Sequence, residues 1–153
     1  MRIISALTLG LVFTLTACKG NKVYDHFEHA SLSGWEKTDT LRYNVPKINE
    51  GGRYCMELGM RLTKAYPYQS LTLIIERKVL PSRQTKSDTI ECKIVSPEGR
   101  VLGRGITLNQ YHFHVAEFSL KESDSLHVSI THNMKREILP GISDVGIEIS
   151  KLP

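Results

Sequence analysis

The sequence predicts an all-β domain, a jelly-roll-like β-sandwich of about eight strands, preceded by an N-terminal lipoprotein signal peptide. Three observations carry that expectation. From Tyr24 onward the apolar residues recur with a period of two. No stretch sustains a helical period with caps. The residues up to Cys18 have the layout of an export signal. A length of 153 residues suits one domain. With 41% hydrophobic and 24% charged residues, the composition excludes a disordered tail and a multispanning membrane protein.

The first element is an address. Arg2 supplies the positive start, and Ile3 through Leu15 is an apolar stretch broken by Ser5, Thr8, Gly10 and Thr14. That run is too short to span a bilayer, which takes about 20 residues. Leu15-Thr16-Ala17-Cys18 matches the bacterial lipoprotein box, so residues 1–17 are expected to be cleaved and Cys18 lipidated. Two or three acyl chains, at about 0.8 kcal/mol per buried methylene, make such an anchor effectively permanent. Residues 18–26 read as the lipidated cysteine and a tether, and residues 27–153 as the sandwich. Lys19 rather than Asp after Cys18 points to the outer membrane, and the lack of an acidic run there to a periplasm-facing domain.

The strands follow in order. Trp35 and Leu41-Tyr43-Val45 begin the sandwich. Tyr54, Met56, Leu58, Met60 and Leu62 alternate with Cys55, Glu57, Gly59, Arg61 and Thr63, a long strand with one buried face. Leu71 to Ile75 is a richer apolar run after the turn-like Tyr66-Pro67-Tyr68. Ile90, Cys92 and Ile94 form the next face. Ser96-Pro97-Glu98-Gly99 then predicts a hairpin turn with a return strand over 101–108. Phe113 to Leu120 is a strand with a register change near Ala116, followed by Leu126 to Thr131 and Val145 to Ser150.

Alternation also decides the cysteines. Cys55 falls on the Glu57 and Arg61 face of its strand, whereas Cys92 falls on the Ile90 and Ile94 face of its own. One points out and the other in, so their Cβ vectors do not converge on a disulfide. Cys92 is expected to act as a small core residue.

Chemistry is sparse. His112 and His114, two apart on a strand, share a face about 6.5 Å apart, a spacing that suits two imidazoles on one metal. A third ligand would have to come from His26, His127, His132 or a carboxylate. A solvated histidine pair at a sheet edge is the simpler reading, so no metal and no cofactor are expected. There is no Gly-x-Ser-x-Gly elbow, and Ser143 reads as part of a loop before a strand. Gly99, Gly103 and Gly105 lack a following helix to bind phosphate. The basic excess, 20 Lys plus Arg against 16 Asp plus Glu, is too small and too dispersed for nucleic acid. Trp35, Tyr66, Tyr68 and Tyr111 lie near the expected loops. Such aromatics either stack on sugar rings or plug the ends of the sandwich, and the second is the commoner arrangement.

Several segments carry a family likeness. They are the lipobox at Cys18, Trp35 with Thr38-Asp39, the Leu41-Arg42-Tyr43 strand, and Tyr54 through Arg61. Tyr66-Pro67-Tyr68 with Leu71-Thr72-Leu73, and then Gly103-Arg104-Gly105, extend the likeness downstream. The most specific are His132-Asn133-Met134-Lys135-Arg136, Leu139-Pro140-Gly141-Ile142 and Asp144-Val145-Gly146-Ile147. In these the chain resembles the gliding-motility lipoprotein GldH family of the Bacteroidetes. The resemblance implies a cell-envelope lipoprotein associated with gliding machinery, with no enzymatic activity and no catalytic residues to carry over. Asp39-Thr40-Leu41, Asp88-Thr89-Ile90 and Asp124-Ser125-Leu126 resemble the O-glycosylation triplet of exported proteins in that lineage, which makes Thr40, Thr89 and Ser125 candidate acceptors. A turn handing over to a strand uses the same residues.

The expected function is therefore a non-catalytic, membrane-anchored lipoprotein that docks another envelope protein. The alternative is a glycan-binding lipoprotein that uses Trp35 and the tyrosines as stacking platforms.

Overall fold

A computed structural model describes residues 21–153; Cys18 and the expected signal peptide lie outside the described residues. Within them the strands are β1 (Lys22–His29), β2 (Trp35–Glu36), β3 (Leu41–Val45), β4 (Gly52–Leu62), β5 (Ser70–Leu80), β6 (Thr85–Lys93), β7 (Asn109–Leu120), β8 (Ser125–His132), β9 (Ile138–Leu139) and β10 (Ile142–Lys151). One antiparallel sheet has the order β1-β10-β4-β7 and the other β3-β8-β5-β6. Strands next to each other in sequence thus mostly lie in opposite sheets. With the two-residue strands β2 and β9 set aside, this is the strand order of an eight-stranded jelly roll.

Period-two alternation builds the core. Met56, Leu58, Met60 and Leu62 of β4 face Leu71, Leu73 and Ile75 of β5 and Leu126, Val128 and Ile130 of β8, all buried. Val145, Ile147 and Ile149 of β10 complete the layer. On the outer face the partners Phe27, Gly146 and Gly59 form one row across β1, β10 and β4. A Cβ on Gly146 or Gly59 would stand 2.6 or 2.8 Å from the Phe27 ring. Both positions therefore lack a side chain so that the ring can lie on the sheet, and Arg61 covers it with its guanidinium 4.1 Å from the centroid.

Three expectations change. β1 begins at Lys22, inside the stretch assigned to the tether, because its backbone pairs with β10 from Ser150 to Asp144. Residues 101–108 form no return strand. The turn is present, with Gly99 at φ 84° and its N–H donating to Ser96 O, but only isolated bridges follow, Val95–Val101 and Arg104–Gln110. The chain here must leave one sheet for the other. Gly103 lies against the Tyr111 ring, and Gly105, at φ 143°, bends the chain toward β7. Finally, β5 and β6 are one long hairpin, paired from Ser70↔Lys93 to Lys78↔Thr85. The register change near Ala116 is present as a bulge: Met56 pairs with Ala116 and Glu57 with His114, which leaves Val115 unpaired.

Candidate functional site

The jelly roll sorts its loops onto two ends. At one end lie the start of β1, the end of β10 and the loops 46–51, 81–84 and 121–124, the first and last tied together by Ile48 N–H to Asp124 O. At the other lie the loops 30–34, 63–69, 94–108 and 133–137. Most exposed large apolar side chains sit at this second end: Leu32, Val101, Leu102, Ile106 and Ile138. At the first end Val23 is exposed. Nothing in the alternation pattern singles out these loop residues, and they were not anticipated.

Two of the four candidate platform aromatics are core residues. Trp35 is 1% exposed and Tyr111 5%, so neither presents a face to a sugar ring. The Trp35 Nε1–H donates to Asp39 O at 3.0 Å, and its ring meets His132 edge-on at 5.4 Å. Tyr111 stacks on Phe113 beneath Gly103. Tyr66 and Tyr68 are half-buried and pack edge to face at 5.5 Å, with the Tyr66 hydroxyl committed to Ser70 O. Trp35 and Tyr111 thus belong to the core, and Tyr66 and Tyr68 pack partly buried against it.

His112 and His114 are exposed on the outward side of β7, as their spacing required. They look to different neighbours, His112 Nε2 to the Gln110 amide at 2.9 Å and His114 Nδ1 to Cys55 Sγ at 3.4 Å. None of the suggested third ligands joins them. His26 is bonded to Glu28, His127 lies on β8 in the other sheet, and His132 is buried under Trp35. Among the described residues no group of three His, Cys, Asp or Glu is placed to hold a metal.

Among the described residues the two cysteines are free, and they divide as alternation requires: Cys55 is half-buried on the outer face and Cys92 is in the core. Burial pushes the Cys92 thiol up to about 12. Burial, helped by the Glu57, Glu117 and Glu148 carboxylates, also raises Cys55, so the His114 contact does not make it a thiolate nucleophile.

Ser143 is the second residue of β10 rather than a loop residue. Its hydroxyl donates to Asp144 Oδ2 at 2.7 Å, and His29 Nδ1 faces the other carboxylate oxygen. The carboxylate stands between hydroxyl and imidazole, the wrong order for the imidazole to take the serine proton.

Arg77 is the charged residue that sequence reasoning missed. It occupies an inward position of β5 and is 7% exposed. Its Nη2 donates to Asp88 Oδ2 at 2.6 Å, and its guanidinium lies 4.8 Å from the Phe118 centroid. Asp88 belongs to one of the glycosylation triplets. The adjacent Thr89 is exposed on edge strand β6, while Thr40 and Ser125 are half-buried where turns enter β3 and β8.

Residues 22–149 match the family model described as GldH lipoprotein. The chain is 27% identical over 154 residues to "Gliding motility lipoprotein GldH" of Flavobacterium johnsoniae, covering 96% of each. It is 29% identical over 152 residues to "Gliding motility lipoprotein GldH homolog" of Christiangramia forsetii, covering 92% of each. Among solved structures it is similar to the carbohydrate-binding module CBM6cm-2 from Cellvibrio mixtus lichenase 5A, with TM-score 0.42, 15% identity and coverage of 86% and 90%. The segments that carried the sequence likeness converge in space, since Trp35 pairs with Leu139 and packs on His132. The family model spans all but the outermost residues of the sandwich, and the chain belongs to the GldH lipoprotein family.

Proposed function

We propose that this chain is a non-catalytic outer-membrane lipoprotein, lipidated at Cys18 and facing the periplasm, that docks another protein of the gliding or envelope machinery. One observation carries the docking: Leu32, Val101, Leu102, Ile106 and Ile138 are exposed at the end of the sandwich remote from the anchor. Anchored partners need only modest affinity, because a shared membrane raises their effective concentration. The buried polar groups support a structural reading: Arg77 is taken by Asp88, and His132 by the Trp35 carbonyl. Stacking of glycans on Trp35 and Tyr111 has lost its support.

In-cell cross-linking with affinity recovery tests the reading, run beside Cys18→Ala and Ile106→Asp. One envelope protein recovered with the parent chain and lost with both variants is expected. Undiminished recovery with Ile106→Asp would move the interface elsewhere.

Of the three glycosylation candidates, Thr89 is the accessible acceptor. Intact-mass measurement of the exported protein, parent against Thr89→Ala, is expected to differ by more than the substitution itself.

A further inference from the structure

The end of the sandwich opposite the apolar loops has a feature of its own. A hollow of about 470 Å³ opens between the start of β1, the loop 46–51 and the end of β10. Lys22, Lys47 and Lys151 line it, with Val23, Pro46 and Tyr54 among its walls. Glu50 is the acidic residue on its rim and pairs with Lys151, while Lys22 bridges to Asp25 and Glu148. Lys47 is exposed and lies outside these ion pairs. Beyond the rim, Arg83 and Lys121 add positive charge on the neighbouring loops, against Glu122 and Asp124.

Charge alone does not distinguish this end, because Lys64, Lys93 and Lys135 stand at the other. Chain length does. Four peptide steps join Cys18 to Lys22, which even fully extended span only about 14 Å. A chain anchored at Cys18 therefore holds the hollow close to the bilayer surface, near the Debye length of about 10 Å over which lysines feel an anionic leaflet.

We propose that this hollow is a second membrane contact, seating the phosphate of an anionic phospholipid headgroup between Lys22, Lys47 and Lys151 with Val23 toward the acyl boundary. The proposal rests on lipidation of Cys18. Its consequence is orientation: the anchor supplies residence at the membrane, and the headgroup contact keeps the apolar loops pointing away from it. Lys47, the lysine outside these ion pairs, supplies beside a lipid anchor a second signal of the kind that membrane attachment commonly combines.

The test uses the lipidated protein reconstituted into phosphatidylcholine vesicles with and without about one-third phosphatidylglycerol. Amine-reactive labelling, read lysine by lysine by mass spectrometry, reports access. Lys47 is expected to label about tenfold more slowly on the anionic vesicles, with the difference lost in about 0.5 M salt. Lys64 and Lys93 are expected to label equally on both. Lys47→Glu is expected to remove the protection of Lys22 and Lys151 without changing the melting of the domain. Equal labelling of Lys47 on both vesicle types overturns the proposal while leaving the anchor intact. Failure to attach to either vesicle sinks the anchor reading, and the proposal with it. Protection seen in cells but not on vesicles assigns the hollow to an acidic protein instead and equally overturns it.

Discussion

The Tyr43 hydroxyl donates to the carbonyl oxygen of Val145 at 2.7 Å, joining residues 102 positions apart. Tyr43 belongs to β3 in one sheet and Val145 to β10 in the other. The bond therefore crosses the sandwich inside the core, with the ring 1% exposed. Burial raises the phenol above its ordinary value, so it stays protonated and able to donate.

Tyr43→Phe is expected to keep the ring packing and lose this bond, costing about 1–2 kcal/mol. Urea unfolding would show a lower midpoint with an unchanged slope. An unchanged midpoint would mean that the carbonyl finds another donor.

The Arg77–Asp88 pair makes an asymmetric prediction. Removing the acid leaves a buried guanidinium uncompensated, whereas replacing the base with an apolar chain leaves only a half-exposed carboxylate. Asp88→Asn is therefore expected to destabilise by roughly 1–3 kcal/mol and Arg77→Met by less. The reverse order in chemical denaturation would show that the contact of Arg77 with Phe118 outweighs the ion pair.

His132 sets a pH dependence. Burial holds its imidazole below the ordinary 6.5, while its bond to the Trp35 carbonyl pulls the other way. The unfolded chain thus takes up this proton first as pH falls. The stability linked to the neutral ring is present above the unfolded value and is lost as pH drops below it toward the folded one. Parent protein is expected to weaken on going from about pH 7 to about pH 5, and His132→Gln to weaken less steeply over the same range. Parallel slopes for the two proteins would exclude His132 as the source.

The thiols should separate by access. Cys55 is expected to react with a maleimide in the folded protein, slowly because its thiol is raised, and Cys92 only after unfolding. Comparable labelling of both in the native state would contradict the burial of Cys92 against Leu71, its partner across the β5–β6 hairpin.

Several strands were legible because one face of each is apolar without interruption. Met56 to Leu62, Leu126 to Ile130 and Val145 to Ile149 are the inward rows that alternation marked. Even the bulge beside Ala116 showed, since Phe113 and Phe118 cannot share a face without an extra residue between them. The length of the β5–β6 hairpin was hidden. Its inward row continues past Ile75 through Arg77, a charge that breaks the apolar pattern and is tolerated only because Asp88 lies beside it. The polar start of β6, Thr85-Lys86-Ser87, reads as loop but is an edge strand, where charge blunts unwanted pairing.

By itself the sequence determined the all-β class, the faces of Cys55 and Cys92 and the family likeness, and it carries the lipobox-like motif ending at Cys18. Each of these is written in neighbouring residues, through a period of two or a short motif. Only the tertiary structure decided that Trp35 and Tyr111 are core, and that Leu32 and Ile106 share an end of the sandwich. It also brought Lys22, Lys47 and Lys151 around one hollow. Those relations depend on which loops the jelly-roll order brings to the same end. That order is set by pairings between strands far apart in the chain, to which local alternation is blind.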